Sequence, residues 1–511
     1  MPDTIRVFDT DRRIRLGVWG LGRGLHIAGP CAALNIDVVA GCDYNATMRT
    51  EFAERYPSAF VTDDAAAFLA RDFDAVLLAT YCPGHAADAI GCLAAGKHVL
   101  SEVTAFFTMA EGVRLVEAVE KSGLVYNMAE NYPFTEANMW LARKWREGVF
   151  GELMYGEYEY VHETLTLSYT DINGNPLEPG SRAHTWRSWI NMHYYNTHSL
   201  GPMMHITGTR PVQVVALPAD HALPGYLARG GPRNGMVAPS LIRMSNGAVV
   251  RNLMGATTND SHIQRLWGTN GSSELVDGRL RLRLGGRGNA PKLAVKPRWD
   301  DLGELAERAG HGGGDFWTLY HFARQILYGT PAPFDIYASA DCTIPGILAW
   351  RSQAEGGRAY DVPDFRDPAQ REGWRRDERM QATFDADRGL FGGASADPLA
   401  CEFSRTMRDL VNATAAYRAF RDWSALIADA EDPAAILTLA DRAIEAAPLL
   451  QEAQRAARRI VAAYPDTPAT RVLREVLERS DEPLTSRPGI ADALRAERDA
   501  LARSVGGTAT P

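Results

Sequence analysis

Gly20, Gly22 and Gly24 stand in the run Gly17-Val18-Trp19-Gly20-Leu21-Gly22-Arg23-Gly24, where a first apolar stretch gives way to a helical one. Glycine at such a turn lets backbone amides approach pyrophosphate oxygens that a Cβ would hold off. The third glycine of the spacing G-x-G-x-x-G would fall at Leu25, so close packing of helix on strand must be met differently. Asp43 ends the second apolar run about 20 residues on, where a carboxylate accepts hydrogen bonds from adenosine ribose hydroxyls. An acid there repels a 2′-phosphate and favours NAD over NADP, while Arg49 nearby speaks for the phosphate. An ordinary tight turn is the alternative for Gly20 and Gly22.

Glu130 closes a strand-like run, at the carboxyl edge where open α/β sheets bind ligands. A surface or helix-capping carboxylate is the other reading. Tyr160 and His162 are two apart on an expected strand and so project to one face, lining a pocket or packing on a half-buried sheet. His184, Trp186, Arg187, Trp189 and His193 form an aromatic and basic group able to stack on sugar rings, although aromatics are more often core. His311, before three glycines, could reach a substrate from a loop, and Asp315 reads as a helix N-cap.

These residues need elements to hold them. From Ile14 to Asn131, apolar runs (Ile14–Trp19, Asp37–Cys42, Ala75–Thr80, His98–Ser101, Val125–Ala129) alternate with amphipathic segments such as Asn45–Tyr56 and Ala110–Ser122. That rhythm predicts an α/β Rossmann domain with a doubly wound parallel sheet over 1–132. After a helix at 133–148, longer alternating strands predict an α+β substrate and oligomerisation domain over 133–365 with a large, mostly antiparallel sheet. Helices at Asp315–Tyr328 and Tyr337–Glu355 close it. Residues 366–511 are rich in Ala, Arg and Glu and read as a helical C-terminal extension with stretches near 397–429, 432–446, 449–464, 468–480 and 489–504, serving packing or oligomerisation.

The chain has 511 residues, 46% hydrophobic and 23% charged, with a formal charge of -9. That size suits two domains and an appendage, and the charge offers no basic surface for nucleic acid. The six cysteines (Cys31, Cys42, Cys82, Cys92, Cys342, Cys401) lack zinc-like spacing and read as free thiols of a cytoplasmic protein. Met1–Arg13 is polar and has neither a signal-peptide core nor a membrane span. No histidine and carboxylate spacing suggests a metal.

Gly96-Lys97-His98-Val99-Leu100-Ser101-Glu102-Val103-Thr104-Ala105 resembles the Gfo/Idh/MocA oxidoreductase family, in which a GKHVLxEKP run follows the fourth strand. The resemblance extends to about Phe365 through Ala79-Thr80, His85, Ala129-Glu130-Asn131, His311-Gly312-Gly313-Gly314-Asp315-Phe316 and Val362-Pro363-Asp364-Phe365. It implies NAD as cofactor, with Arg23, Thr80, His85, Glu102 and Asn131 joining Gly20, Gly22, Gly24 and Asp43 around it. It also implies a homo-oligomer, since the open face of the second sheet commonly pairs in this family. The lysine that family dehydrogenases place beside the nicotinamide is here Val103, followed by Thr104 in place of proline. The family's aspartate and histidine pair reads Tyr194 and His198, and Cys82 stands where asparagine is common.

Those departures resemble the NAD-dependent glycosidase branch, glycoside hydrolase family 109. Tyr195-Asn196-Thr197-His198-Ser199-Leu200-Gly201-Pro202 differs from that branch's Tyr-x-Thr-His-Gly-Leu-Gly-Pro at Ser199 alone. Glu130-Asn131-Tyr132 and Tyr160-Val161-His162 are similar to its catalytic-pocket positions. Alcohol oxidation needs a hydride acceptor and a base for the O–H proton, for which Tyr195 and His198 are the candidates. The branch implies redox-neutral glycoside cleavage: oxidation, elimination, hydration and re-reduction. That differs from hydrolysis by paired carboxylates, for which the sequence gives no signal. A sugar or polyol dehydrogenase and a non-catalytic dinucleotide-binding sensor are the competing readings.

Overall fold

The computed structural model describes residues 7–506 apart from 172, 178–184, 218, 220, 222, 228–235, 258–259, 385–389 and 392–396. Six strands, Ile14–Trp19 (β1), Ile36–Cys42 (β2), Phe60–Thr62 (β3), Ala75–Leu78 (β4), His98–Ser101 (β5) and Tyr126–Met128 (β6), form a parallel sheet in the order β3-β2-β1-β4-β5-β6. The order reverses between β1 and β4, which places a ligand crevice beyond their carboxyl ends. β4 is wholly buried, as a strand covered by helices on both faces must be. The doubly wound sheet expected from the sequence is thus present.

The second sheet has nine strands: Leu153–His162 (β7), Pro211–Ala216 (β8), Val237–Met244 (β9), Val249–Ala256 (β10), Gln264–Gly268 (β11), Gly271–Val276 (β12), Arg279–Leu284 (β13), Lys292–Val295 (β14) and Tyr360–Asp361 (β15). Their order is β14-β13-β12-β11-β7-β10-β9-β8-β15. The pairs are antiparallel except β7 with β10, which run parallel. Along β7, Tyr158 and Tyr160 turn to the buried face while Glu157 and Glu159 turn to the other, the alternation a pleated strand imposes. The helix Thr197–Thr207 packs on that buried face, against β7 and β10.

The chain forms two compact units. Both sheets lie in the first, made of residues 1–163, 190–222 and 229–382. On sheet topology we propose to divide this unit near residue 132 into dinucleotide and substrate domains. The second unit gathers residues 164–189, 223–228 and 383–511. Its helices Phe403–Ala425, Pro433–Ala463, Pro468–Ser480 and Ile490–Gly506 bury stripes such as Phe403, Met407, Leu410, Tyr417 and Phe420 at helical spacing. The two helices expected at 432–446 and 449–464 are a single one running through Pro448. An interior proline costs about 3 kcal/mol, which the Ala-rich sequence and the burial of residues on both sides of it, from Ile436 to Ala447 and from Leu450 to Ile460, outweigh.

Five cysteines are buried and Cys401 is partly exposed, all as free thiols. Burial pushes the Cys31 and Cys42 thiols up to about 12. No helix among the described residues is long and apolar enough to cross a membrane.

Candidate functional site

The glycine turn joins β1 to the helix Leu21–Ile27. Gly20 adopts φ +91°, and a Cβ there would stand 2.1 Å from the Ala79 carbonyl oxygen of the neighbouring β4 end. Gly24 takes over the packing role left open at Leu25, since its Cβ would meet Val18 Cγ1 at 2.5 Å. Gly22 differs from both: a Cβ there would meet nothing within 4 Å. The open space beside it fits a phosphate approaching the amides of the turn. Asp43 lies across the turn, accepting from the Leu21 amide at 2.7 Å and the Asn45 amide at 2.8 Å. Burial raises its pKa, while those two amides pull it back. Each oxygen keeps a further lone pair for a ribose hydroxyl. Arg49 donates to the carbonyls of Asp43 and Tyr44 at 2.8 Å each.

Arg23 points from the same turn into a buried charge network. Its Nε donates to Glu102 at 2.8 Å, and its two terminal nitrogens grip Asp315 at 2.9 and 2.7 Å. Burial opposes the guanidinium charge, but Glu102 and Asp315 more than offset it and raise the pKa. Asp315 also accepts from Asn131 Nδ2 at 2.9 Å and lies 3.2 Å from His311 Nδ1. Burial pushes the Asp315 pKa up, and His311 with Arg23 pulls it far below the usual carboxylate range. The expected helix N-cap role is therefore corrected: the cap of Gly314–Tyr328 is Gly313, and Asp315 turns inward to join charges from separate elements. Among the described residues, buried Asn131 Oδ1 has no hydrogen-bond partner, an acceptor available to a ligand amide or hydroxyl. Thr80 donates to Asp88 at 2.6 Å, and the His85 ring spans the carbonyls of Thr80 and Thr104 at 3.2 and 3.1 Å. Both brace the turn after β4.

Tyr195, His198 and Glu130 meet in a line. His198 Nδ1 lies 2.8 and 3.0 Å from the two Glu130 oxygens, and its Nε2 lies 3.1 Å from the Tyr195 hydroxyl. Tyr195 ends the 3-10 turn Met192–Tyr195 and His198 opens the helix Thr197–Thr207. Glu130 follows β6 and has no exposure, so it is not a surface carboxylate; it also accepts from the Tyr132 amide, at the start of the 3-10 turn Tyr132–Phe134, at 3.2 Å. Gly201 makes room for it, since a Cβ there would stand 2.9 Å from Glu130 Cγ. A carboxylate beside Nδ1 fixes the proton there and leaves the Nε2 lone pair to accept from Tyr195. Val103 is buried and supplies no charge.

Aromatic rings wall this line. Tyr132 and Tyr160 lie 4.7 and 4.8 Å from the His198 ring, and Tyr160 is 5.9 Å from Tyr195. Burial drives the Tyr132 phenol pKa up. His162 shares the face of Tyr160, with ring centroids 6.0 Å apart, and its Nδ1 lies 2.5 Å from Asp260. His262 stacks on Tyr132 at 5.7 Å and 6°, and its Nε2 lies 3.4 Å from the Tyr132 hydroxyl. Neither Asp260 nor His262 was expected from the sequence. They precede β11 without a motif, and pairing with β7, through the Val161–Ser261 bridge and the Glu159 amide on the Ile263 carbonyl, carries them to this wall.

Of the expected sugar-stacking group, Trp186, Arg187, Trp189 and His193 are among the described residues. His184 lies outside the described residues. Trp186 and Trp189 are buried in the second unit's own segment, with Arg187 over Trp186 at 4.4 Å. His193 is fully buried in the first unit, and burial lowers its pKa to about 3. Tyr194, at the family's aspartate position, stacks on Phe107 at 4.9 Å and accepts from the Gln381 amide at 3.1 Å. His311 is held by Asp315, and its ring lies 6.2 Å from Tyr132.

Comparison with known proteins places this geometry. Residues 294–372 match the C-terminal domain of glycosyl hydrolase 109. A glycosyl hydrolase family 109 protein of Shewanella putrefaciens is 28% identical over 393 residues, which are 69% of this chain and 85% of that protein. Among solved structures, levoglucosan dehydrogenase in complex with NADH and levoglucosan superposes with a TM-score of 0.56 at 20% identity, covering 69% of this chain and 100% of the other. An inositol dehydrogenase homolog of Azotobacter vinelandii, complexed with NAD+, gives 0.56 at 20% identity over 71% of this chain and 100% of the other. The chain thus has the fold of the Gfo/Idh/MocA-type oxidoreductases and, within that fold, is similar in sequence to the glycosyl hydrolase 109 proteins.

Proposed function

We propose that this chain is an NAD-dependent enzyme acting on a sugar or glycoside, and that it cleaves a glycosidic bond with no net redox change. The observation that carries this reading is the buried Tyr195–His198–Glu130 line, set at the carboxyl edge of the parallel sheet. Gly20, Gly22, Asp43 and Asn131 would hold the dinucleotide, which when bound would supply reversible hydride transfer.

The protein's own part is proton handling. Tyr195 can accept a substrate hydroxyl proton while passing its own to His198 Nε2. The imidazolium so formed sits 2.8 Å from Glu130, where exclusion of water strengthens their attraction. Tyr132 and Tyr160 close the walls and offer ring faces to a sugar. Val103, apolar where family dehydrogenases carry lysine, leaves this step to the tyrosine line.

A sugar or polyol dehydrogenase is the second reading, favoured by the dehydrogenases among the structural neighbours. A sensor that binds the dinucleotide without turnover is a third. Mass spectrometry of small molecules released from freshly purified, denatured protein tests the choice. Near-stoichiometric NAD, with cleavage of aryl glycosides needing none added, supports the first reading. An empty protein that forms reduced cofactor in proportion to a free sugar would overturn it. We also propose a cytoplasmic homo-oligomer paired through the outer face of the nine-stranded sheet, where Leu241 is 47% and Trp267 43% exposed. Leu241→Lys should lower its mass in light scattering, and an unchanged mass would exclude that face.

A further inference from the structure

The reading above leaves one proton without an acceptor. Oxidation delivers the hydroxyl proton to the Tyr195–His198–Glu130 line, which has room for one. Elimination then requires a second base, for the C–H beside the new carbonyl. Three other imidazoles face the same walls. His262 has the Tyr132 hydroxyl as its partner at 3.4 Å, and burial followed by the nearby His162 lowers its pKa. His311 shares Asp315 with the Arg23 guanidinium, which grips both oxygens of that carboxylate. Among the described residues, His162 alone of the three pairs with a carboxylate that no arginine also holds, Asp260 Oδ1 at 2.5 Å from Nδ1. That oxygen also accepts from the Glu163 amide at 2.8 Å, which fixes its position.

We propose that Asp260 is the positioning residue of a second proton-transfer pair, in which His162 removes the proton from the carbon adjacent to the oxidised carbon of the glycoside. The inference rests on the redox-neutral reading of the same site. Asp260 accepts the Nδ1 proton, so the Nε2 lone pair of His162 is free to act, and among the described residues it accepts no hydrogen bond. Tyr160 borders both pairs, 5.9 Å from Tyr195 and 6.0 Å from His162 by ring centroids, so the two pairs share one wall of the site. In this step the C–H bond breaks and its proton goes to Nε2. Its electron pair becomes the carbon–carbon double bond, and the glycosidic C–O bond breaks with its pair leaving on oxygen. An aryloxide leaving group takes its proton from water.

The test uses the full chain loaded with NAD, a panel of p-nitrophenyl glycosides, and the variants His162→Gln, Asp260→Asn and Asp260→Glu. Asparagine can turn its NH2 toward Nδ1 and force the tautomer whose Nε2 is protonated. Expected are a loss of cleavage of about 10²- to 10⁴-fold in H162Q and D260N and partial recovery in D260E. Reduced cofactor should accumulate at 340 nm when either slow variant meets substrate, because its oxidation step survives. Exchange of the substrate C–H with deuterium from solvent should vanish, while dinucleotide affinity by fluorescence titration stays unchanged. D260N cleaving and exchanging at the wild-type rate would overturn the role of Asp260 alone. Loss of both cofactor reduction and cleavage in H162Q would assign His162 to the first step and overturn the pair. A wild-type protein that reduces its cofactor without C–H exchange, or turns over no glycoside, would overturn this inference together with the redox-neutral reading.

Discussion

An ionised carboxylate without solvent exposure is costly unless partners compensate it, and Glu130 has them: the His198 ring and, at 3.2 Å, the Tyr132 amide. Replacing Glu130 by Gln keeps its shape but lets an amide NH2 meet Nδ1, turning the imidazole so that Nε2 no longer accepts from Tyr195. The expected result for Glu130→Gln, and for Tyr195→Phe, is a fall in kcat of about 10²- to 10⁴-fold. Dinucleotide content by mass spectrometry should stay as in the wild type. Unchanged turnover in either variant would remove the tyrosine line from the mechanism. Tyr195 and His198 were legible because they are three apart in one motif, and Tyr160 and His162 because period-two alternation puts them on one face. That Glu130 touches His198 follows from no local spacing, since a parallel strand end and a helix start meet only through tertiary packing. Asp260 and His262 gave no signal at all, because a loop before a strand has no period. Asp315 misled as a cap: position in a first turn is a local cue, and the buried Arg23 guanidinium outweighs it.

At the level of elements, the glycine turn separates folding from binding. Gly20→Ala forces a Cβ into the Ala79 carbonyl and an unfavourable φ, so a loss of at least 1 to 3 kcal/mol is expected from the strain. Gly22→Ala meets no protein atom and should unfold at the wild-type denaturant midpoint, yet bind NAD about tenfold or more weakly, by about 1.4 kcal/mol. Guanidinium unfolding and a fluorescence titration read the two effects. Gly22→Ala binding NAD as tightly as the wild type would dissociate the turn from the phosphates. The apolar runs behind β1 and β2 and the alternation behind β7 could be read from sequence, as could the amphipathic helices, whose starts the structure shows capped by Asn45 and by a Thr108–Glu111 capping box. β3 and β15 escaped because strands of three and two residues are too short to show a period, and β14 because its residues are largely exposed. Pro448 misled in the opposite direction, since a local helix breaker was overridden by packing along a 31-residue helix.

For the first unit as a whole, three histidines, His193 buried and His205 and His321 partly buried, set a dependence of stability on pH. Burial lowers the pKa of His193 to about 3, His205 to about 4 and His321 to about 3. Their charged neighbours add to this: Arg146 faces His205, while His205 and Arg324 face His321. Each unfolded histidine binds a proton near pH 6.5 and each folded one stays neutral until far lower, so the unfolded state gains protons first. Stability is therefore full above about pH 6.5 and falls as pH drops toward the folded values. Asp43 works the other way, because burial raises its pKa, but it is a single group titrating from a lower starting point. Asp315, with its depressed pKa, loses its contribution only below the ordinary carboxylate range near 3.8, outside this window. Between pH 7 and pH 5 the unfolding free energy should drop on the order of 1 to 2 kcal/mol per histidine. His205→Phe, which keeps an aromatic ring against Phe134, should flatten that slope. Urea midpoints at matched ionic strength measure it, and equal stability at pH 7 and pH 5 in the wild type would mean that these rings reach water or a carboxylate before the protein unfolds.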